Sequence, residues 1–176
     1  MAKYEIRIYG DKVLRKKAKS INIEKIDSEI KDLIYDMIEV MRENKGIGLA
    51  APQIGISKRI FVIDTEYLKI SPEKGIIINP EIEESSEDIN SHEEGCLSVP
   101  NVYAPVKRPI GIKYSYYTIE GKKVRGEDNS FWARVFQHEL DHLDGILFID
   151  KVDRFNKLLI KNKLAKLKRM NRKQRL

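Results

Sequence analysis

His138 and His142 stand four residues apart, with Glu139 beside the first, in the stretch QHELDHLDG at 137–145. Positions four apart on a helix lie one above the other, so both imidazoles can offer a ring nitrogen to one metal ion. Glu139 is turned by roughly 100° from His138, which suits a carboxylate that handles a proton of the metal's water and does not bind the metal. Two imidazoles make a poor site, and a third donor is needed. The long zinc-peptidase pattern H-E-x-x-H-x-x-G-x-x-H provides one as its last histidine. This chain follows that pattern through Gly145 and then has Phe148. Asp144, Asp150 and Asp153 lie downstream, but none sits on a second helix well placed to swing a carboxylate back. Cys96, in EEGCLSVP, is the better candidate, because a glycine-flanked loop or strand end can bring a thiolate to a metal. One Cys and two His leave a tetrahedral ion an open position for water, whose pKa such an ion can lower to about 7. A lone cysteine is more often a small buried hydrophobe; the two histidines favour the ligand reading.

A third constellation is GIGLAAPQIG at 46–55. Its small residues let backbone approach a ligand closely, and Gln53 carries an amide able to donate a hydrogen bond. The stretch is no dinucleotide loop, since Ala51 replaces the third glycine of G-x-G-x-x-G. No Lys-Ser or Lys-Thr follows to make a phosphate loop either.

These residues need elements to position them. The spacing of Ile30, Leu33, Ile34, Met37, Ile38 and Met41 predicts an amphipathic helix from Ser28 that stops at ENKG. RIFVIDT (59–65) and GIIINPEI (75–82) have the β-branched content and flanking turn residues of strands. IGIKYSYYTIEGKKVRGE alternates about Glu120 and Gly121 as a hairpin does, so the sheets are expected to be antiparallel and the fold α+β. Asn129 is the expected cap of a helix carrying His138 and His142, with Gly145 ending it in a left-handed conformation. A last helix, from about Asp153 to 170, is expected to bury Phe155, Leu158, Leu159, Leu164, Leu167 and Met170 on one side and to fray over NRKQRL.

The whole chain bounds the reading. At 176 residues, 41% hydrophobic and 34% charged, it is expected to form a single catalytic domain over 1–176. No apolar run approaches the ~20 residues of a membrane span, and the N-terminus alternates where an export signal is continuous. A single cysteine forms no internal disulfide, which fits a reducing compartment; we expect a cytoplasmic protein with no membrane partner. The net charge of +6 is uneven: residues 151–176 hold eleven Lys or Arg against Asp153 alone, so that segment carries +10 and the remainder −4. The basic character therefore concerns a partner of the C-terminus.

Taken in order, GIGLAAPQ, EGCLS and QHELDH resemble the three motifs of the peptide deformylases, and the N-terminal and C-terminal helices extend the likeness over nearly the whole chain. The resemblance implies antiparallel sheets around a central helix carrying H-E-x-x-H, with N-terminal helices and a C-terminal helix. It implies removal of the formyl group from the N-terminal methionine of nascent bacterial or organellar proteins, with release of formate. Cys96, His138 and His142 would hold one divalent ion, Fe2+ in this family, with Zn2+, Ni2+ or Co2+ able to replace it. Glu139 would be general base and then acid, while Gln53 and the backbone N–H of Leu97 would hold the oxyanion. Gly48 resembles a residue whose backbone meets the substrate. The small-residue approach at Gly46 and Gly48 fits a site that admits formyl and excludes larger acyl groups.

For the methionine side chain, Ile47, Phe131 and Val135 are expected to line a pocket. Arg134 either lends its stem to the wall or lies just off it, and core packing is the plain alternative for Phe131 and Val135. Glu94, among the expected substrate-site residues, is also expected with Asp141 to orient the ligands, with Arg108 as a neutralising cation. The likeness further implies nascent chains as partners, the ribosome as a contact of the basic helix, and a monomer. A zinc endopeptidase and a nucleic-acid-binding module using the tail are the alternatives.

Overall fold

A computed structural model of the chain describes residues 3–173. Asp27 caps the first helix, α1 (Ser28–Glu43), by accepting from the Ile30 N–H, and the helix buries Ile30, Leu33, Ile34, Met37, Val40 and Met41. The glycine-containing stretch 46–55 holds a short strand, β1 (Gly48–Ala50), followed by a 3-10 turn over Ala51–Ile54. Next come β2 (Ile60–Ile63), the one-turn helix α2 (Thr65–Leu68) and β3 (Ile76–Ser85). Two hairpins follow. The first pairs β4 (Ile89–Cys96) with β5 (Val99–Pro109) across the two residues Leu97 and Ser98. The second pairs β6 (Ile112–Tyr117) with β7 (Lys123–Asp128), where Gly121 takes the positive φ a tight turn needs.

All pairings among the seven strands are antiparallel: one sheet of five strands in the order β1-β2-β3-β6-β7, and the separate β4–β5 pair. Helix α3 (Phe131–Leu143) buries Trp132, Ala133, Val135, Phe136, Leu140 and Leu143 in one core cluster with Phe61, Ile77, Tyr114 and Tyr116 of the large sheet. A second cluster joins α1 to β1, β2 and β3. The cap of α3 is Ser130, whose Oγ accepts from the Trp132 N–H, and not the expected Asn129. Gly145 has the expected positive φ, 74°. An added Cβ would there meet the Arg15 backbone at 2.8 Å.

The chain ends in α4 (Phe148–Lys151) and α5 (Arg154–Lys173). Helix α5 departs from expectation. Its inward stripe is Ile160, Leu164 and Leu167, packed with β5 and α4 residues in a third cluster, and the buried Asn171 donates to the Ile8 carbonyl at 3.0 Å. Phe155, Leu158 and Leu159 are 71%, 69% and 63% exposed. Nine residues separate Phe155 from Leu164, roughly half a turn in excess of two full ones, so the six apolar residues form two opposed faces. Of the segment expected to fray, 174–176 lies outside the described residues. Among the described residues, no helix is long and apolar enough to cross a membrane.

Candidate metal centre

Cys96 closes β4 as the last residue before a two-residue turn, and His138 and His142 point from one face of α3 toward it. One ligand atom from each lies within 4.8 Å of the others, the only such group of three found among the described residues. Cys96 Sγ is 3.2 Å from His142 Nε2. A thiolate and two imidazoles suit several first-row divalent ions, and three donors leave a tetrahedral ion one further position. Two buried polar atoms at the site have no protein partner, Glu139 Oε2 and His142 Nδ1. An unpaired buried carboxylate oxygen is costly without a water or ligand to meet it. Donor set and orphaned atom thus fit a metal with its water.

The downstream acids have other work. Asp144 pairs with Arg59 at 2.7 Å, Asp150 pairs with Arg15 and caps α4 through the Leu147 N–H, and Asp153 caps α5. Phe148, where the peptidase pattern has its last histidine, instead stacks on His138 with centroids 6.1 Å apart.

Glu94 stands behind His138. Its Oε1 accepts from Arg108 Nε (2.7 Å) and Arg134 Nη1 (2.6 Å), and its Oε2 accepts from Arg108 Nη2 (2.9 Å) and His138 Nδ1 (2.9 Å). Four donors on two oxygens use the carboxylate's ordinary capacity. Glu94 therefore has nothing left for a substrate, which corrects its place among the substrate-site residues. Because a carboxylate only accepts, His138 Nδ1 must carry the proton, leaving the other ring nitrogen for the ion. Arg108 also donates to Asp141 at 2.7 Å, and Lys151 meets the second Asp141 oxygen at 2.7 Å.

The electrostatics follow from these contacts. Burial disfavours the Glu94 anion, but His138 and Arg108 outweigh it and hold the carboxyl well below the usual range. Burial likewise disfavours a charged His138, yet Cys96 and Glu94 push it up to about 10. His142 is held well below its ordinary value by burial and by the nearby His138 and Arg108 charges. Burial raises Glu139 to about 7 against the pull of His138 and Arg108.

Glu139 lies against Gly48: a Cβ there would come within 2.5 Å of its Oε1. Gly46 is similarly covered by Leu97, with Cδ1 at 2.8 Å from such a Cβ. The room beside both glycines is thus taken by protein side chains. Gln53 is 1% exposed; its Oε1 accepts from the Ala50 N–H at 2.7 Å and its Nε2 points at Cys96 Sγ (3.4 Å) and Ser98 Oγ (3.3 Å). Val135 is buried in the α3 cluster with Ile47 packed against it, whereas Phe131 is 49% exposed at the start of the helix. Arg134 is buried with its guanidinium on the β4–β5 pair. Ser98 and Asn90 escaped the sequence reading; Ser98 had a signal in its place two residues after Cys96, whereas Asn90 had none.

The family described as polypeptide deformylase matches residues 3–158. A peptide deformylase of Fusobacterium nucleatum is 45% identical over 166 residues, covering 94% of this chain and 93% of its own. Among solved structures, a Plasmodium falciparum peptide deformylase has TM-score 0.89 at 40% identity, over 96% of this chain and 97% of that one. The enzyme of that name from Thermus thermophilus gives 0.85 at 40% identity, over 96% and 99%.

Proposed function

The chain belongs to the polypeptide deformylase family and is a hydrolase of protein biosynthesis, and from that premise we propose that it removes the formyl group from N-terminal formyl-methionine of nascent proteins, releasing formate. The observation that carries the reading is the convergence of Cys96, His138 and His142 on one point with the buried carboxylate of Glu139 beside it.

Cys96, His138 and His142 would hold a single divalent ion, Fe2+ in our reading, with Zn2+, Ni2+ or Co2+ as substitutes. When bound, it supplies Lewis acidity and an acidified water. Glu139 takes a proton at Oε2 and returns one to the departing amine; its burial favours the protonated form and so supports a carboxyl that can hold the proton between the two transfers. Gln53 Nε2 and the Leu97 backbone N–H donate to the oxyanion that forms on the formyl oxygen. What supports this role is that the Ala50 N–H anchors Gln53 through Oε1 and leaves Nε2 beside Cys96 Sγ and Ser98 Oγ. Gly48 brings its backbone to the substrate, while Ile47, Val135 and Phe131 form the wall for the methionine side chain, with Phe131 at its exposed outer end.

The described chain acts as one catalytic unit, a monomer in the cytoplasm of a bacterium or in an organelle. The cations of α5 give it an electrostatic hold on the ribosome. An endopeptidase reading leaves Cys96 and Gln53 without a part. The test is anaerobic purification with metal analysis and a formate assay on formyl-Met peptides. We expect one ion per chain, formate from formyl-Met, and no comparable turnover of acetyl-Met. Cleavage of internal peptide bonds without formate release overturns the proposal.

A further inference from the structure

The two halves of the metal centre lie on separate pieces of the fold. His138 and His142 belong to α3, fixed on the five-stranded sheet, while Cys96 ends a hairpin that shares no strand pairing with that sheet. The Sγ-to-imidazole geometry thus depends on how the hairpin sits against the helix. Apolar contact between them is non-directional and fixes separation better than register. Charge-assisted hydrogen bonds from a planar guanidinium fix direction as well.

Arg134, one helical turn before His138, makes that connection. Its Nη1 donates to Glu94 Oε1 at 2.6 Å and to the Val106 carbonyl at 3.3 Å. Its Nη2 donates to Asn90 Oδ1 at 2.5 Å and to the Asn90 carbonyl at 3.1 Å. Every acceptor is on β4 or β5. Arg108 runs the opposite way, from β5 to Asp141 on α3. Arg108 also grips both Glu94 oxygens, so it too spans hairpin and helix, through Asp141 at the far end of α3. Arg134 adds a second tie one turn before His138, joining Glu94 Oε1, Asn90 and the Val106 carbonyl directly to the turn of α3 that carries the imidazole Glu94 orients.

We propose that Arg134 is a positioning residue for the metal centre, holding Cys96 of the hairpin in register with the α3 histidines and fixing Glu94 as the acceptor of the His138 ring N–H. The inference rests on Cys96, His138 and His142 being the ligands. A lysine at 134 does not replace it, because one ammonium cannot span Asn90 and Glu94 as the two guanidinium nitrogens do.

The test compares wild type with Arg134→Met, Arg134→Lys and Asn90→Ala, each loaded with Co2+. Three quantities are read: the thiolate-to-cobalt absorption band, the rate of cobalt release to a chelator, and the far-UV circular dichroism of the stripped protein. We expect release at least about tenfold faster in both Arg134 variants, the size typical of groups behind metal ligands, and a smaller acceleration in Asn90→Ala. The absorption band shifts or weakens per bound ion, KM for a formyl-Met peptide is unchanged and kcat falls. A wild-type band and release rate in either folded Arg134 variant overturns the inference. If Arg134→Met does not fold, Arg134→Lys and Asn90→Ala decide it on the same readouts. Absence of the band from wild-type cobalt protein overturns the ligand reading itself, and with it this inference.

Discussion

Gly48 and Glu139 occupy each other's space: a methyl group on Gly48 would stand 2.5 Å from Glu139 Oε1 and 2.9 Å from its carboxyl carbon. Since Glu139 is buried on α3, which is itself packed on the sheet, the carboxylate can make room only by leaving its present position. Gly48→Ala should therefore act as a lesion of Glu139. Well-placed acid–base groups contribute about 10²- to 10⁴-fold, and we expect kcat to fall by about 10²-fold with the metal content intact. Loss of the ion in this variant would show that Gly48 supports the ligands and not the base.

Glu139→Gln removes the proposed proton carrier while preserving shape. The metal should stay and kcat should drop by about 10²- to 10⁴-fold. The same substitution has a signature in the metal-stripped protein. Glu139 has a folded pKa of about 7 against an ordinary 4.5, so protonation favours the fold. That contribution is fully present below 4.5 and is lost as the pH rises through about 7. It amounts to about 3 kcal/mol for such a shift. His142, with its lowered pKa, works in the opposite sense on acidification. The informative quantity is consequently the difference between wild type and Glu139→Gln in urea melts at pH 5 and pH 8: wild type should gain the more on acidification.

His138 carries a proton that it must give up to serve as the proposed ligand. With His138 pushed up to about 10 by Cys96 and Glu94, loading the stripped protein at neutral pH must expel that proton. We expect about one proton released per ion in weakly buffered titration, and an apparent affinity that falls about tenfold for each pH unit on the acid side. Uptake with no proton release would mean that His138 is already prepared for the metal.

Gln53→Ala tests the oxyanion role. Losing one such donor typically costs about 2.7 to 4 kcal/mol of transition-state stabilisation, so kcat should fall about 10²- to 10³-fold. The variant also strands the Ala50 N–H, which now donates to Gln53 Oε1, so a loss of stability of about 1 to 3 kcal/mol should accompany it. Unchanged kcat in a folded variant would remove Gln53 from the chemistry.

Much of this arrangement was legible because it is local or ordered along the chain. The i, i+4 spacing of His138 and His142 needs only a helix to place both on one face, and α1 and β2 follow from periodicity and β-branched content. Cys96 could be joined to the histidines only through the order of three motifs, as nothing in its own neighbourhood says what it meets. Arg134 was harder. A cation inside an apolar helical stripe looks like a boundary residue, and its partners Asn90 and Glu94 lie 44 and 40 residues earlier, on a hairpin whose docking has no local signature. The hydroxyl of Ser130 captured the N-terminus of α3 because Asp128 accepts its O–H and backbone N–H, fixing the cap one residue later than Asn129. In α5 the angular sorting of the apolar residues was misread: Ile160, absent from the expected stripe, is 6% exposed while Phe155 is 71% exposed.

That sorting yields a last prediction about α5. Ile160 and Leu164 anchor the helix on the third core cluster, and Asn171 fastens its far end to the Ile8 carbonyl. Truncating Ile160 to alanine should cost about 2 to 5 kcal/mol, as buried aliphatic deletions do. Replacing Phe155, Leu158 and Leu159 by serine together should change stability by no more than about 0.5 kcal/mol each, since they touch little of the body. Removing the whole helix to test ribosome contact would confuse these effects, because it also releases the N-terminal segment held by Asn171. Reversing the exposed charges Lys161, Lys163 and Lys166 to glutamate leaves the inward stripe alone. If α5 grips the ribosome electrostatically, those three changes should weaken pelleting with ribosomes and flatten its salt dependence, with formate release from free peptides unaltered. Undiminished, salt-sensitive pelleting of the triple variant would assign the contact to another surface.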